Sequence, residues 1–209
     1  MSHSLEAPKY RWRLLTENER SELLEWRKLR GYPWHSPPHR VGSTSVYHLS
    51  ASCYEHKPHI GASVRRMRDF CERLLSTLAE NSSVLYAWCV LPNHYHALIR
   101  TANVLETIQA LGRLHGRSSF EWNGEEGTRG RKVWFRCIER NIRGDRHRLA
   151  TMNYVHNNAV HLGYVESWHE WPFSSSQEYL EKLGYAKARQ IWKTYPILDF
   201  GKGWDDAGL

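Results

Sequence analysis

His94 and His96 stand two residues apart in the run HYHALIR, whose composition fits a β-strand. Side chains i and i+2 of a strand share a face about 7 Å apart, so two imidazoles placed this way can grip one metal ion. An H-x-H pair alone is a weak signal in a chain with 13 histidines. A second pattern lies in DRHRLATMNYVHNNAVHL. Met152, Val155, Ala159 and Leu162 recur at spacings of three and four, the buried stripe of a helix. Tyr154, Asn158 and His161 form another stripe about a third of a turn away. A tyrosine beside a metal can act as the nucleophile of a covalent step. Two histidines completed by an amide oxygen suit Mg²⁺ or Mn²⁺ on a phosphate. The plainer alternative is an amphipathic helix with a boundary tyrosine and an asparagine on a solvated face.

Charge strengthens the first reading. Arg129, Arg131, Lys132, Arg136, Arg140, Arg143, Arg146 and Arg148 stand against only Glu139 and Asp145 in one twenty-residue segment. That is nearly the whole net charge of +7, and it leads directly into the helix that carries Tyr154. Cations so placed are candidates for backbone phosphate contacts, which position a nucleic acid without reading its sequence. The chain also has ten Trp and eleven Tyr. These can stack on unpaired bases, although tryptophan more often fills a core.

The elements that must position these residues read as follows. Thr16 with Glu19 makes a capping box for a helix striped by Leu23, Leu24, Trp26 and Leu29. The proline-rich run Gly31–His39 ends it. Val46–Tyr54 is a strand, His56–Gly61 a loop, and Ser63–Glu80 a helix with Val64, Phe70, Leu74, Leu75 and Leu78 inward. Val84–Val90 is apolar on both faces and reads as a central strand, joined by a short turn to an antiparallel strand His94–Arg100. Asn103 caps the next helix, with Glu106 at its third position and Val104, Ile108, Leu111 and Leu114 as its seam. Asn123–Lys132 reads as a mobile loop, Val133 opens a fourth strand, and Asp145 caps the Tyr154 helix, which Gly163 stops. A short helix near Gln177–Leu183 follows. The order β-α-β-β-α-β predicts an α+β, ferredoxin-like antiparallel sheet with packed helices. The expected organisation is an N-terminal helical extension over 1–42, a main domain over 43–183 and a C-terminal tail over 184–209.

The chain has 209 residues, of which 41% are hydrophobic and 24% charged, with mean hydropathy −0.66. No apolar run approaches a membrane span of about 20 residues, and no secretory leader is apparent. Cys53, Cys71, Cys89 and Cys137 form no C-x-x-C, which disfavours a zinc ribbon or disulfide scaffold and predicts reduced thiols in the cytoplasm.

Three motifs in this order carry a resemblance. WCVLPNHYHALI resembles the His-hydrophobic-His motif of single-tyrosine HUH transposases, NYVHNNAVHLGYV their tyrosine helix, and WPFSSSQEYL the Trp-Pro-x-Ser-Ser segment of REP-associated tyrosine transposases. The resemblance covers about Val46 to Leu180. Two positions depart from the pattern: Tyr95 replaces a bulky apolar residue between the histidines, and Ala159 replaces the proline after Asn158. The resemblance implies an enzyme that cleaves and rejoins single-stranded DNA near palindromic hairpins. It implies Tyr154 as nucleophile, forming a 5′-phosphotyrosine, and His94, His96 and Asn158 as ligands of Mg²⁺ or Mn²⁺. It implies a monomer or a homodimer. The link conserves the phosphodiester bond, so no nucleotide cofactor is needed, in keeping with the lack of a Gly-rich phosphate loop. His156 and His161 are candidate bases, each more readily read as a surface histidine, and His48 reads as a structural one. Two other readings compete: an HUH replication initiator or relaxase, and a hairpin-binding protein without catalysis.

Overall fold

The computed structural model describes residues 15–29 and 45–197. They fall in two units, the first holding 15–29 and the second 45–197. In the first, helix α1 (Glu17–Leu29) opens on the expected capping box. The Thr16 backbone N–H and hydroxyl donate to Glu19 Oε2 at 2.8 and 2.9 Å, and Glu19 N–H donates back to Thr16 Oγ1 at 3.3 Å. Leu29, read as part of its stripe, is exposed. Gly31–His39 and the boundary near residue 42 lie outside the described residues.

The second unit is a four-stranded antiparallel sheet with packed helices. Its elements are β1 (Ser45–Cys53), α2 (Val64–Asn81), β2 (Val84–Val90), β3 (His94–Thr101), α3 (Val104–Glu125), β4 (Trp134–Ile142), α4 (Asp145–His161), α5 (Ser176–Leu183) and α6 (Tyr185–Thr194). The strand order β2-β3-β1-β4 is the ferredoxin-like one that the sequence predicts. Caps form where small polar residues precede the helices: Ser63 accepts from Arg66 N at 3.1 Å and Asn103 from Glu106 N at 3.3 Å.

Alternation divides the sheet into two working faces. Tyr47, Leu49 and Ala51 of β1 and Tyr95, Ala97 and Ile99 of β3 pack with Phe70, Leu74 and Leu111 into the core shared with α2 and α3. Cross-strand partners share a face, and the register pairs Ser52 with His94 and Ser50 with His96. That second face carries both histidines, and α4 packs on it over β2 and β3. It continues across β1 and β4 through Ser50, Ile138, Arg140 and Arg136, which are half-buried or exposed.

Several sequence expectations change here. Val64 is exposed, because it is the first residue of α2 and lies beyond the packed turns. Strand β2 lies at the edge of the sheet rather than its centre. Its apolar character follows from covered faces and a covered edge: Val90 N–H donates to Phe173 O at 2.8 Å, Ser175 N–H to Trp88 O at 3.0 Å, and Trp171 Nε1 to Val90 O at 2.8 Å. Asn123–Lys132 is a loop only from residue 126 on. Residues 123–125 finish α3, and Asn123 folds the rest, donating to Arg131 O at 2.8 Å and accepting from Arg131 Nε at 2.9 Å. Asp145 is the first residue of α4 rather than its cap, which is Gly144 at φ 101°, a conformation that favours glycine. Residues 185–194 of the expected tail form α6.

The β2–β3 turn is wedged against Gly61, whose N–H donates to Pro92 O at 2.9 Å. A Cβ on Gly61 would lie 2.4 Å from Pro92 Cβ and 2.8 Å from its Cα. Gly61→Ala is expected to lower unfolding free energy by about 1–3 kcal/mol through overpacking. Gly116→Ala, in open space on α3, is expected to raise it by up to about 1 kcal/mol. Urea denaturation of both variants checks the pair; an unaffected Gly61→Ala protein would mean that the wedge is slack.

Candidate metal and nucleophile site

Strand β3 presents His94 and His96 on one face, with ring centroids 5.0 Å apart, and sends Tyr95 the other way into the core. Helix α4 lays Tyr154 edge-on against His96, with centroids at 5.3 Å, and against His48 of β1 at 5.8 Å. One turn further, Asn158 Oδ1 sits 3.0 Å from His94 Nε2. The structure thus gathers His94, His96, Tyr154 and Asn158 into one cluster and adds His48, whose Nε2 pairs with His96 Nδ1 at 3.1 Å. All five side chains are buried, none more than 4% exposed. Tyr154 and Asn158 therefore do not lie on a solvated helix face.

Hydrogen bonds assign the atoms. Asn93 Nδ2 donates to the His56 carbonyl at 3.2 Å, which turns Asn93 Oδ1 toward His94 Nδ1 at 2.7 Å. Nδ1 therefore carries the hydrogen, and in the neutral ring Nε2 offers a lone pair. That lone pair faces the Asn158 oxygen, and two acceptors at this range repel unless a cation or a proton joins them. About 3 Å is also the spacing of adjacent donors on an octahedral ion with bonds of about 2.1 Å. On His96, the contact with His48 occupies Nδ1, so Nε2 is the nitrogen that could hold a metal. Among the described residues, no group of three His, Cys, Asp or Glu side chains is placed to hold a metal ion. The donor set is two imidazoles and one amide, which fits a divalent ion that takes its remaining ligands from phosphate and water.

Helix α4 is buried nearly all round, and its anchors explain why. His156 is not a surface histidine: it is 1% exposed, and its Nε2 pairs with Ser175 Oγ at 3.0 Å. The same hydroxyl accepts from Trp88 N–H at 2.9 Å. Asn153 Nδ2 donates to Tyr195 O at 2.8 Å, tying α4 to the end of α6. His161 is exposed. Sequence reasoning missed the partners of His156 because Ser175 is nineteen residues away on a segment without periodicity. It read His48 as structural, and alternation from Tyr47 and Leu49 is the signal that aims it at the site.

The basic segment divides. Arg131 pairs with Glu126 at 2.6 Å and Arg148 with Asp145 at 3.0 Å. Arg129 donates to Phe120 O at 2.7 Å and lies over its ring, and Lys132 lies over Tyr54. Arg136 and Arg140 are on β4, on the face that carries the histidines, with Arg140 directly opposite His48. Arg143 and Arg146 are exposed at the start of α4.

No family model matches the chain, and comparison with curated proteins finds no match. Among solved structures, a REP-associated tyrosine transposase bound to a REP hairpin is similar, with a TM-score of 0.55 at 16% sequence identity. The match covers 72% of this chain and 88% of that one, and the two share a fold. No helix among the described residues is long and apolar enough to cross a membrane.

The anchors generate a pH prediction. Burial lowers the pKa of His156 and of His115 from the usual 6.5 to about 3. The unfolded chain therefore takes up a proton at each as pH falls below about 6.5, while the folded chain does not until about 3. Each contribution is complete above 6.5 and declines between those limits by about 1.4 kcal/mol per pH unit. Urea titrations from pH 7 to 4 are expected to show stability falling with acid, and His156→Gln to remove one histidine's share of that slope. An unchanged slope in the variant would place the acid sensitivity elsewhere.

Proposed function

We propose that this chain is a metal-dependent single-strand DNA transposase or endonuclease of the HUH type, which cleaves and rejoins DNA beside REP-like hairpins. The observation that carries the reading is the convergence of Tyr154 and Asn158 from α4 on His94 and His96 of β3. Chain folding brings together residues about sixty apart in sequence, of the types that phosphoryl transfer needs. The fold of the hairpin-bound transposase adds support for hairpin DNA as partner.

His94 Nε2, His96 Nε2 and Asn158 Oδ1 would hold Mg²⁺ or Mn²⁺, which when bound neutralises a scissile phosphate and orients it for in-line displacement. Tyr154 Oη attacks phosphorus, the P–O3′ bond breaks, and the proton lost by tyrosine ends on the departing 3′ oxygen. The product is a 5′-phosphotyrosine and a 3′-hydroxyl, and attack by a second 3′-hydroxyl reverses the step. The phosphodiester bond is conserved, so no nucleotide cofactor is consumed. The rings of His48 and His96 flank Tyr154 and fix its direction, while His156 is committed to Ser175. Arg136, Arg140, Arg143 and Arg146 are the members of the basic segment that would meet backbone phosphates.

Incubation with hairpins carrying randomised single-stranded flanks and Mn²⁺ or Mg²⁺, followed by a denaturing gel, tests this. A protein–DNA band is expected with wild type and metal, and none with Tyr154→Phe or a chelator. DNA that is bound but never linked would make the protein a hairpin binder without catalysis. His48→Phe is expected to slow linkage about 10- to 100-fold while leaving DNA binding intact, as loss of a partner that orients a ligand does.

A further inference from the structure

A cavity of about 470 Å³ lies beside the first turns of α4. Arg143, Arg146, His147 and Ala150 line one side of it, and Tyr195 and Ile197 the other. Its volume is in the range of about 300–1,000 Å³ usual for small-ligand sites. Among the described residues its lining has no acid, whereas two other cavities, each about 330 Å³, include Glu80 and Asp145 respectively. The exposed guanidinium groups of Arg143 and Arg146 stand at its rim, and an aromatic ring and aliphatic side chains form its wall. That is a cationic mouth over an apolar slot, the chemistry of a phosphate joined to an unpaired base.

The helix relates this cavity to Tyr154. At 100° per residue, His147, Ala150 and Tyr154 fall within about 60° of one another, so they share one edge of α4. His147 lies two turns before Tyr154, about 10 Å along the axis. Consecutive phosphates of an extended single strand span that distance in one or two nucleotides. Burial and the Arg143 cation lower the pKa of His147, which suits a neutral ring accepting the Arg143 N–H at 3.2 Å.

We propose that this cavity takes one unpaired nucleotide of the cleaved strand, one or two positions from the scissile phosphate. Tyr195 stacks on its base, and Arg143 and Arg146 hold its phosphate. The proposal rests on the DNA-cleaving reading above and names a subsite for its substrate. Stacking tolerates any base, so the slot gives register on the strand rather than sequence recognition.

The test uses the full chain as Tyr154→Phe, which binds without cleaving. Hairpins that bind it are selected from the randomised-flank pool and then scanned with single abasic sites. One flank position is expected to weaken binding about tenfold when its base is removed. Tyr195→Ala is expected to weaken the intact hairpin by a similar factor and to abolish the effect of that abasic site, whereas Tyr195→Phe retains both. Asn153 bonds to the Tyr195 backbone carbonyl, so the variants keep that anchor. Arg146→Ala is expected to reduce the slope of log affinity against log salt by about 0.7. Equal abasic effects in wild-type and Tyr195→Ala proteins would overturn the proposal even where the wild-type chain forms its covalent adduct. A Tyr195-dependent abasic effect without any adduct would uphold the cavity and overturn the cleavage reading. Failure of every hairpin to bind would overturn both.

Discussion

The direction of one amide, that of Asn93, sets the chemistry open to the cluster. Its nitrogen is claimed by the His56 carbonyl, so its oxygen must face His94 Nδ1. Reversing it would move the ring hydrogen to Nε2 and turn the contact with Asn158 into an ordinary structural hydrogen bond. The backbone spends conformational energy to hold this direction. Glu55 and His56 both adopt left-handed φ values, 56° and 51°, at a cost of about 1–3 kcal/mol each. Opposing them are Cys53 N–H to Asn93 O at 2.7 Å, Leu91 N–H to His94 O at 2.8 Å, and the seat of Pro92 on Gly61. The strained turn after β1 and the tight turn before β3 thus form one device, and its output is a lone pair aimed across the sheet.

A lone pair is useful only if α4 meets it in one rotational setting. A residue's step on a helix is 100°, so a small rotation would carry Tyr154 off the histidine rings. Packing alone specifies rotation poorly on a face of small and mixed side chains. Two polar anchors about 60° apart around the helix restrict that freedom: His156 on Ser175 and Asn153 on the Tyr195 carbonyl. Ser175 is shared. Its hydroxyl serves the Trp88 N–H of β2 as well as His156, so the segment that closes the sheet edge also clocks the helix. This gives a physical reason for Trp171, Phe173 and Ser175 to follow the tyrosine helix so closely in sequence.

The sequence made legible whatever repeats along one element. Strand alternation put His94 and His96 on one face and Tyr95 in the core, and helical spacing put Tyr154 and Asn158 one turn apart. The ferredoxin-like order followed from element types alone. What the sequence hid depends on partners distant in the chain. Strand β2 reads as central because both faces are apolar, yet its outer edge is closed by residues 171–175 rather than by another strand. Asn123 reads as the start of a polar loop, and only its bonds to Arg131 reveal a fixed turn. His156 belongs to a stripe that looks solvated until α5 and Ser175 cover it. Residues 185–194 carry an apolar stripe of Tyr185, Ala188 and Trp192 at helical spacing, but it is short and buries only Ala188.

Charge illustrates the same limit most clearly. The segment from Arg129 to Arg148 reads as one uniform cationic footprint, but its members do different work. Arg131 and Arg66 both close on Glu126, joining the turn after α3 to α2. Arg148 closes on Asp145 and covers Tyr86. Those cations are spent on folding, and an exposed ion pair offers little field to a distant phosphate. Arg136 and Arg140 alternate along β4 on the face of the histidines, and Arg143 and Arg146 stand where α4 begins. The surplus of +7 therefore predicts attraction to a polyanion, but its members divide between ion pairs that close the fold and side chains exposed beside α4.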